Sequence, residues 1–268
     1  YGVECPSLMR LANGDVLLFQ WRWRWAPWPD GAGERMPGRY ERPGNPWRRG
    51  DDGAYVHRSR DGGLTWQEGE RIDTAPYPGA YTMRAAAELD DGALLLPVTD
   101  IPEWHRIYLL RSRDGGATWD VGARIAGSPN RQFSEPCIVR AGERLVVLMR
   151  EEGTGFIHQS DSWDGGESWT SPRPTPMWGC PPHLLALGDG RLLCSYGHRR
   201  PPYGIRACIS EDGGEMWDVA AERIVRDGLP NANLGYPSSI VVGQSRVFTT
   251  YYGEDDGVTC IQGTFWGV

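Results

Sequence analysis

The chain has 268 residues, of which 40% are hydrophobic and 24% charged, and its formal net charge is -7. This composition is typical of a globular protein and excludes collagen and intrinsic disorder. The acidic balance argues against a nucleic-acid surface, which carries a basic excess. No run of about 18 apolar residues and no charged-then-apolar leader is visible, so we expect no membrane span, and the compartment stays undefined.

The glycine, proline and cysteine content narrows the fold class further. The chain has 36 Gly, 21 Pro and 13 Trp, which favours many short strands joined by tight turns over long helices. Its six cysteines are scattered, with no paired spacing and no histidine at metal-ligand distance, so we expect neither a metal site nor a cofactor. Most of these cysteines lie in apolar, strand-like runs, where a free thiol behaves as a small buried hydrophobe.

An internal repeat decides the architecture. The pattern S-x-D-G-G-x-x-W occurs four times, with steps of 53, 50 and 48 residues between the serines Ser59, Ser112, Ser162 and Ser210. Asp supplies side-chain hydrogen bonds to a turn, Gly supplies positive φ, and Trp can fill the space between neighbouring units. Such a period marks one repeated supersecondary unit, so we assign these turns a structural role.

Three strand-like runs precede each copy, so each repeat predicts a four-stranded antiparallel sheet, the blade of a β-propeller. Five units begin near Val3, Tyr81, Phe133, Pro181 and Tyr236. The fifth lacks the D-G-G-x-x-W turn. The sequence therefore predicts one all-β propeller domain over residues 1–268, with five blades, or six if upstream sequence or the termini complete the ring.

The four repeats resemble the Asp-box, or BNR, repeat of the sialidases (neuraminidases), and the resemblance extends over essentially the whole chain. It implies a six- or five-bladed sialidase-like propeller, with carbohydrate as the partner. It says less about activity, because function belongs to the site and not to the fold.

Candidate site residues lie where the innermost strands begin, since these strands converge on the propeller axis. Glu135 opens the third unit, and Arg150 lies 15 residues later, at the end of the next strand. A hairpin returns such positions to the same end, so we expect them to be neighbours. They resemble the sialidase Glu and its following Arg, although an ion pair across a hairpin is the structural alternative.

Tyr236 opens the fifth unit and resembles the tyrosine of that family. A phenol with a pKa near 10 is a poor nucleophile, so Tyr236 would need Glu135 as its base. Arg206 resembles a second carboxylate-binding arginine, expected to converge with Arg150 on one ligand. Glu4 departs from the family, which has an arginine there, and Arg84 could replace that arginine or neutralise Glu4.

The resemblance places the acid/base residue in the irregular stretch from Trp28 to Gly53. Asp51 and Asp52 match its position there only if a gap is allowed in the alignment with the sialidases. Asp100 is a second candidate, and a turn or capping role is the alternative for each. Further polar and aromatic side chains could line the same opening. These are Trp21, Trp23, Trp25, Trp28, Trp104, His183, His198 and Tyr203.

Three functional hypotheses remain from the sequence. The first is a retaining exo-glycosidase acting on a terminal acidic, sialic-acid-like sugar through the Tyr236/Glu135 pair and an arginine carboxylate site. A second is another carbohydrate-active propeller, either a uronic-acid lyase or a glycosidase of a non-sialic sugar. The third is a sugar-binding propeller without turnover. The sugar, the linkage and the oligomeric state are not determined by the sequence.

Overall fold

A computed structural model of the chain describes residues 2–27, 47–101 and 103–268. Within these residues the chain forms twenty β-strands and one short 3-10 helix, Val219–Ala221. The strands of the first two sheets are β1 Gly2–Arg10, β2 Val16–Pro27, β3 Trp47–Ser59 and β4 Glu70–Arg71, then β5 Gly79–Tyr81, β6 Ala87–Glu88, β7 Leu94–Ile101, β8 Arg106–Ser112 and β9 Asp120–Gly127.

Three further sheets complete the described chain. Their strands are β10 Phe133–Ala141, β11 Arg144–Glu151, β12 Phe156–Ser162 and β13 Arg173–Trp178; β14 Pro182–Ala186, β15 Leu192–His198, β16 Gly204–Ser210 and β17 Arg223–Arg226; and β18 Gly235–Val242, β19 Arg246–Asp255 and β20 Val258–Gly267. Every sheet is an antiparallel meander of consecutive strands. The fold is thus a β-propeller, as the repeat predicts, and the described residues form five of the five or six expected blades. In blade 2 the innermost strand is split between β5 and β6.

Apolar side chains fill the spaces between neighbouring blades. Leu17 and Phe19 of blade 1 pack with Leu94 and Tyr108 of blade 2, and all four are fully buried. The equivalent layers lie between blades 2 and 3, 3 and 4, and 4 and 5. Alternation along each strand places these residues on the two faces of every sheet, which is why the central strands read as continuous apolar runs.

The four D-G-G turns come directly after the third strand of a blade, at the end of the blade opposite to the start of the innermost strand. In blade 2, the Ser112 hydroxyl donates to Asp114 Oδ1 at 2.8 Å and accepts from the Gly116 amide at 2.7 Å. Gly116 has a φ of +96°, and a Cβ there would lie 3.1 Å from Leu17 Cδ1, so both its conformation and its surroundings favour glycine.

The tryptophans of the turns in blades 2, 3 and 4 pack toward the preceding blade. Trp119 of blade 2 joins the core shared with blade 1, and Trp217 of blade 4 joins the core shared with blade 3; they are 9% and 5% exposed. Trp66 of blade 1 is 39% exposed. The difference follows from position, since no sheet formed by the described residues packs against the side of blade 1 that Trp66 would fill.

The outward faces of blades 1 and 5 are apolar and open. Val3 and Leu8 on blade 1, and Ile240, Ile261 and Phe265 on blade 5, are each 56% exposed or more. At the centre the ring is bridged, because Arg84 of blade 2 donates to the carbonyl oxygen of Pro237 in blade 5 at 2.8 Å. Within the described residues, the expected closure therefore holds at the axis and not between these two sheet faces.

Loss of one turn hydroxyl tests the structural role of the repeat. Ser112→Ala should lower the free energy of unfolding by about 1–3 kcal/mol, because the buried Gly116 amide loses its acceptor. Urea unfolding followed by circular dichroism measures this change. Arg113→Ala, at the exposed neighbouring position, is the control and should change stability by less than about 0.5 kcal/mol. Equal stability of the two variants would contradict the assignment.

Candidate active site

Three innermost strands contain the same β-bulge near their start. Cys5, Glu135 and Tyr236 each precede a proline and have φ of +51°, +54° and +51°, and each falls within a register shift of its strand. Positive φ is costly for residues other than glycine, and more so before proline. These bulges lie in β1, β10 and β18, and the residues around them form the opening that we call the mouth.

Glu135 and Tyr236 meet across the mouth. The Tyr236 hydroxyl donates to Glu135 Oε1 at 2.5 Å, which is within the distance expected from the sequence. Glu135 is 2% exposed, and its backbone amide donates to Thr99 Oγ1 at 3.2 Å. The two residues are 101 positions apart in the chain, so only the closure of the propeller at its axis joins them.

Arg150 lies beside this pair, as the hairpin of β10 and β11 predicts. Its Nη1 donates to Glu135 Oε2 at 3.0 Å, and its Nη2 lies 2.9 Å from Glu152 Oε2. Ser134 donates to the other oxygen of Glu152 at 3.2 Å. Arg150 therefore holds Glu135 in place while sharing its charge between two carboxylates.

Arg206 does not reach the mouth. It lies on β16 and is 4% exposed, and its guanidinium donates to the carbonyl of Arg226 at 2.9 Å and to Asp227 Oδ1 at 3.1 Å. Its Nε is 3.6 Å from Glu222 Oε2. The predicted convergence of Arg206 with Arg150 is wrong, because Arg206 ties the third strand of blade 4 to the outer strand.

Arg199 occupies the place that the sequence assigned to Arg206. It lies in the loop after β15, its Nη2 donates to the Tyr252 hydroxyl at 3.4 Å, and its guanidinium carbon lies 5.6 Å from the centre of the Tyr236 ring. Its Nε is buried without a hydrogen-bond partner, and no carboxylate of the described residues pairs with it. The signal in the sequence was the basic pair Arg199 and Arg200 between the strands of a hairpin that returns to the mouth.

Aromatic side chains form one wall of the mouth. Trp21 and Tyr81 are 4% and 3% exposed with ring centres 5.2 Å apart, and Tyr81 lies 5.0 Å from Trp104. Trp23 and Tyr236 pack against the same cluster. Trp21 and Trp23 thus share one face, as alternation predicts, and Trp21 is a packing residue. The side chain of Trp25 and all of Trp28 lie outside the described part of the chain.

Cys5 is a mouth residue that the sequence did not single out. Its Sγ lies 3.2 Å from the Tyr81 hydroxyl. Burial raises the pKa of the Cys5 thiol to about 11, so the group stays neutral at physiological pH. Glu4, its half-buried neighbour, adds to that rise. This side of the mouth carries a thiol, a phenol and a carboxylate where the sialidase resemblance places an arginine.

Of the two candidate acid/base residues, only Asp51 contacts the aromatic wall. Trp21 Nε1 donates to Asp51 Oδ1 at 2.6 Å, and the Gly53 amide donates to the same oxygen at 3.0 Å. Removal of water from around the carboxyl raises the pKa of Asp51. Asp52 is the extra residue of a bulge in β3 and accepts instead from the Tyr55 hydroxyl at 3.1 Å.

The irregular stretch expected from Trp28 to Gly53 is partly strand, because β3 begins at Trp47; residues 28–46 lie outside the described ranges. Asp100 is a structural residue. It is 1% exposed, accepts from the amides of His105 and Arg106 at 2.8 Å each, and pairs with the Arg106 guanidinium at 2.9 Å. A carboxylate with these partners fixes the residues that precede β8.

Arg84, His183 and Tyr203 have partners other than the Tyr236 and Glu135 side chains. Arg84 crosses the axis and donates to the carbonyls of Pro182 and Pro237 at 3.3 and 2.8 Å. His183 accepts from the Ser239 amide at 3.3 Å, and burial together with Arg84 lowers its pKa well below the usual range, so it stays neutral.

Tyr203 packs into the core between blades 4 and 5, and His198 hydrogen-bonds through Nδ1 with the Pro202 carbonyl at 3.0 Å. Neither residue has a contact with Glu135 or Tyr236 among its hydrogen bonds in the described structure. No cluster of three or more metal-ligating side chains occurs in residues 2–27, 47–101 and 103–268. In the same ranges, no helix has the length and hydrophobicity of a transmembrane segment.

The repeat agrees with a family comparison. A family model described as a BNR repeat-like domain matches residues 41–249, more than half of the chain. The chain belongs to the BNR repeat-like family. No curated protein matches its sequence.

Solved structures of other proteins share the fold. A protein of unknown function from Dyadobacter fermentans has 30% identity and a TM-score of 0.86, over 100% of this chain and 77% of its own. The NanB sialidase of Streptococcus pneumoniae has 13% identity and a TM-score of 0.70, over 99% of this chain and 56% of its own. An α-L-arabinanase of Penicillium chrysogenum has 17% identity and a TM-score of 0.62, over 93% and 77%. This BNR repeat-like chain thus spans little more than half of the sialidase.

Proposed function

We propose that this BNR repeat-like protein is a retaining exo-glycosidase that hydrolyses a terminal acidic sugar. The observation that carries the proposal is the 2.5 Å hydrogen bond from Tyr236 to Glu135 at the point where the innermost strands converge. A phenol paired with a buried carboxylate is an activated nucleophile. Structural neighbours named as a sialidase and an arabinanase support the assignment to glycosidases, although at identities that define the fold alone.

The first chemical step depends on this pair. Glu135 takes the phenolic proton as Tyr236 Oη forms a bond to the anomeric carbon and the glycosidic C–O bond breaks. Asp51 donates a proton to the departing oxygen. Water then attacks the aryl glycoside with Asp51 as base, and Tyr236 leaves with the proton returned from Glu135, so the configuration is retained. A neutral phenol approaches an anionic sugar without the repulsion that a carboxylate would experience.

Arg199 would bind the carboxylate of the substrate. It has an unpaired charge within the described residues, lies next to the Tyr236 ring, and carries a buried donor without a partner. Arg150 contributes less, because Glu135 and Glu152 already share its guanidinium. Convergent guanidinium groups are the usual recognition of a carboxylate in proteins.

A glycosidase of a neutral sugar is the second candidate, and the carboxylates of the mouth favour it. Glu152 pairs with Arg150 beside Glu135, and Glu4 precedes Cys5, whose uncharged thiol lies 3.2 Å from the Tyr81 hydroxyl. Like charges repel, so negative charge on the wall of the mouth disfavours an acidic ligand. The two candidates share the same nucleophile and differ only in the sugar.

A release assay identifies the substrate class. Aryl glycosides of sialic acid, its deaminated analogue, glucuronic acid, rhamnose and arabinose are incubated with the protein, and the freed phenol is followed by absorbance. Release from an acidic sugar supports the proposal, and release from a neutral sugar supports the second candidate. An unsaturated product absorbing in the ultraviolet would identify a lyase, and sugar affinity without any product would identify a binding protein.

The pH dependence tests Asp51 as the acid. Because the pKa of Asp51 is raised, its protonated form persists to higher pH than an ordinary aspartate, and kcat/KM should decline as pH rises through that value. Asp51→Asn should lose this decline and most activity toward poor leaving groups, while keeping activity toward nitrophenyl glycosides. Asp52→Asn is the matched control and should keep the wild-type profile. A wild-type profile in Asp51→Asn would remove Asp51 from the mechanism.

A further inference from the structure

Trp163 is the exception among the four D-G-G turns. It stands at the variable second position of the S-x-D-G-G pattern, where the other turns carry Arg60, Arg113 and Glu211. Its side chain is 61% exposed. The turn itself is held by Ser162, which donates to Asp164 at 2.8 Å and accepts from the Gly166 amide at 2.9 Å, so the fold does not require an indole there.

A shallow cleft of about 280 Å³ lies beside this indole. Its lining combines two indoles with two carboxylates and two hydroxyls, from Asp161, Trp163, Asp164, Ser168, Trp169 and Thr170. One exposed aromatic residue needs no explanation by itself. An indole in a cleft with polar acceptors is different, because the C–H face of a sugar ring packs on the indole while its hydroxyls bond to the exposed Asp164 carboxylate.

The indole is held in position from one side. The guanidinium carbon of Arg144 lies 5.8 Å from the centre of the Trp163 ring, and Arg144 Nη1 lies 3.7 Å from Asp161 Oδ1 and also pairs with Glu215. A side chain that is ordered before binding loses less conformational freedom when a ligand arrives.

The charge of the lining selects the ligand. The Ser168 hydroxyl and amide hold the pKa of Asp164 well below its usual range, so this acceptor is ionised at physiological pH. Asp161 is 2% exposed and pairs with Arg144 and Arg173. Because these two guanidinium groups already have a carboxylate partner, they do not offer a free charge to an anionic ligand. Among the described residues, the lining contains two carboxylates and no basic side chain, so an anionic sugar would be repelled.

We propose that this cleft is a second carbohydrate-binding site, which takes a neutral sugar residue stacked on Trp163. The turn comes after β12, and β12 begins at the mouth, so the cleft lies at the opposite end of blade 3 from the Tyr236/Glu135 pair. The site would hold a glycan chain or a glycosylated surface without blocking the mouth. It is independent of the activity proposed above.

Fluorine NMR of the full chain labelled with 5-fluorotryptophan tests the site directly. The Trp163 resonance is assigned by its loss in Trp163→Arg, which places there the residue found in blades 1 and 2. Methyl glycosides of glucose, galactose, xylose and arabinose are titrated, with methyl glucuronide as the anionic comparison. We expect a saturable shift of the Trp163 resonance with at least one neutral glycoside, a weaker one with the glucuronide, and none for the buried Trp217.

The controls separate this site from the mouth. Arg113→Ala, at the equivalent position of blade 2, should leave the Trp163 shift unchanged, and Trp163→Arg should leave turnover of any aryl glycoside within twofold of wild type. An unmoved Trp163 resonance with all four neutral glycosides would overturn the proposal, as would equal movement of every tryptophan. Shifts confined to the resonances of Trp21, Trp23 and Trp104 would also overturn it, while leaving the proposed glycosidase intact.

Discussion

Tyr236→Phe is expected to abolish covalent trapping by a fluorinated glycoside of the true substrate and to lower kcat by about 10³-fold or more. The variant removes one oxygen, the one that donates to Glu135, while the ring keeps its packing 5.9 Å from Tyr252. Glu135→Gln should slow formation of the adduct by about 10²–10⁴-fold, because the phenol loses its base. Intact-mass spectrometry measures the adduct, and initial rates measure turnover.

The matched control is Tyr203→Phe, since Tyr203 lies in the core between blades 4 and 5 and not in the mouth. It should trap and turn over like the wild type. Thermal unfolding of all three variants shows whether the fold is kept. Wild-type turnover in a folded Tyr236→Phe variant would exclude the tyrosine mechanism, whatever sugar is released.

The second large effect is expected on substrate binding, where Arg199 and Arg206 should differ. Arg199→Ala should raise KM for an acidic substrate by about 10–100-fold, because a charge-assisted hydrogen bond to the ligand contributes roughly 1.5–3 kcal/mol. Arg199→Lys should recover only part of this, since an ammonium lacks the planar pair of donors. Steady-state kinetics on the acidic and neutral members of the glycoside panel measure the difference.

Arg206→Ala is the comparison that the structure supplies. Arg206 is buried among Glu222, Asp227 and the Arg226 carbonyl, so its loss should lower the melting temperature and leave KM near the wild-type value. The opposite pattern, with KM raised by Arg206→Ala and unchanged by Arg199→Ala, would restore the assignment made from the sequence. An unchanged KM for neutral sugars in both variants is expected in either case.

Local patterns determined the architecture before any tertiary contact was known. The D-G-G turns recur at near-constant steps, and each one depends on hydrogen bonds between residues at most four positions apart, such as Ser112, Asp114 and Gly116. The pairing of Glu135 with Arg150 also results from a single hairpin. Such features can be predicted from a sequence because the interacting groups are neighbours along the chain or across one turn.

Long-range contacts decided the rest of the mouth. The sequence alone predicted the D-G-G turns, a propeller of five or six blades, the Glu135/Arg150 pair and Tyr236 as its partner. Arg199 rather than Arg206, Asp51 rather than Asp52 and the place of Cys5 became visible only in the tertiary structure. A bulge in β3 turns Asp51 toward Trp21 and Asp52 toward Tyr55. Arg206 pairs with Glu222 and Asp227, which lie 16 and 21 residues further along the chain. Which face of a strand a side chain occupies depends on bulges and on partners from other strands, and neither is written in the local sequence.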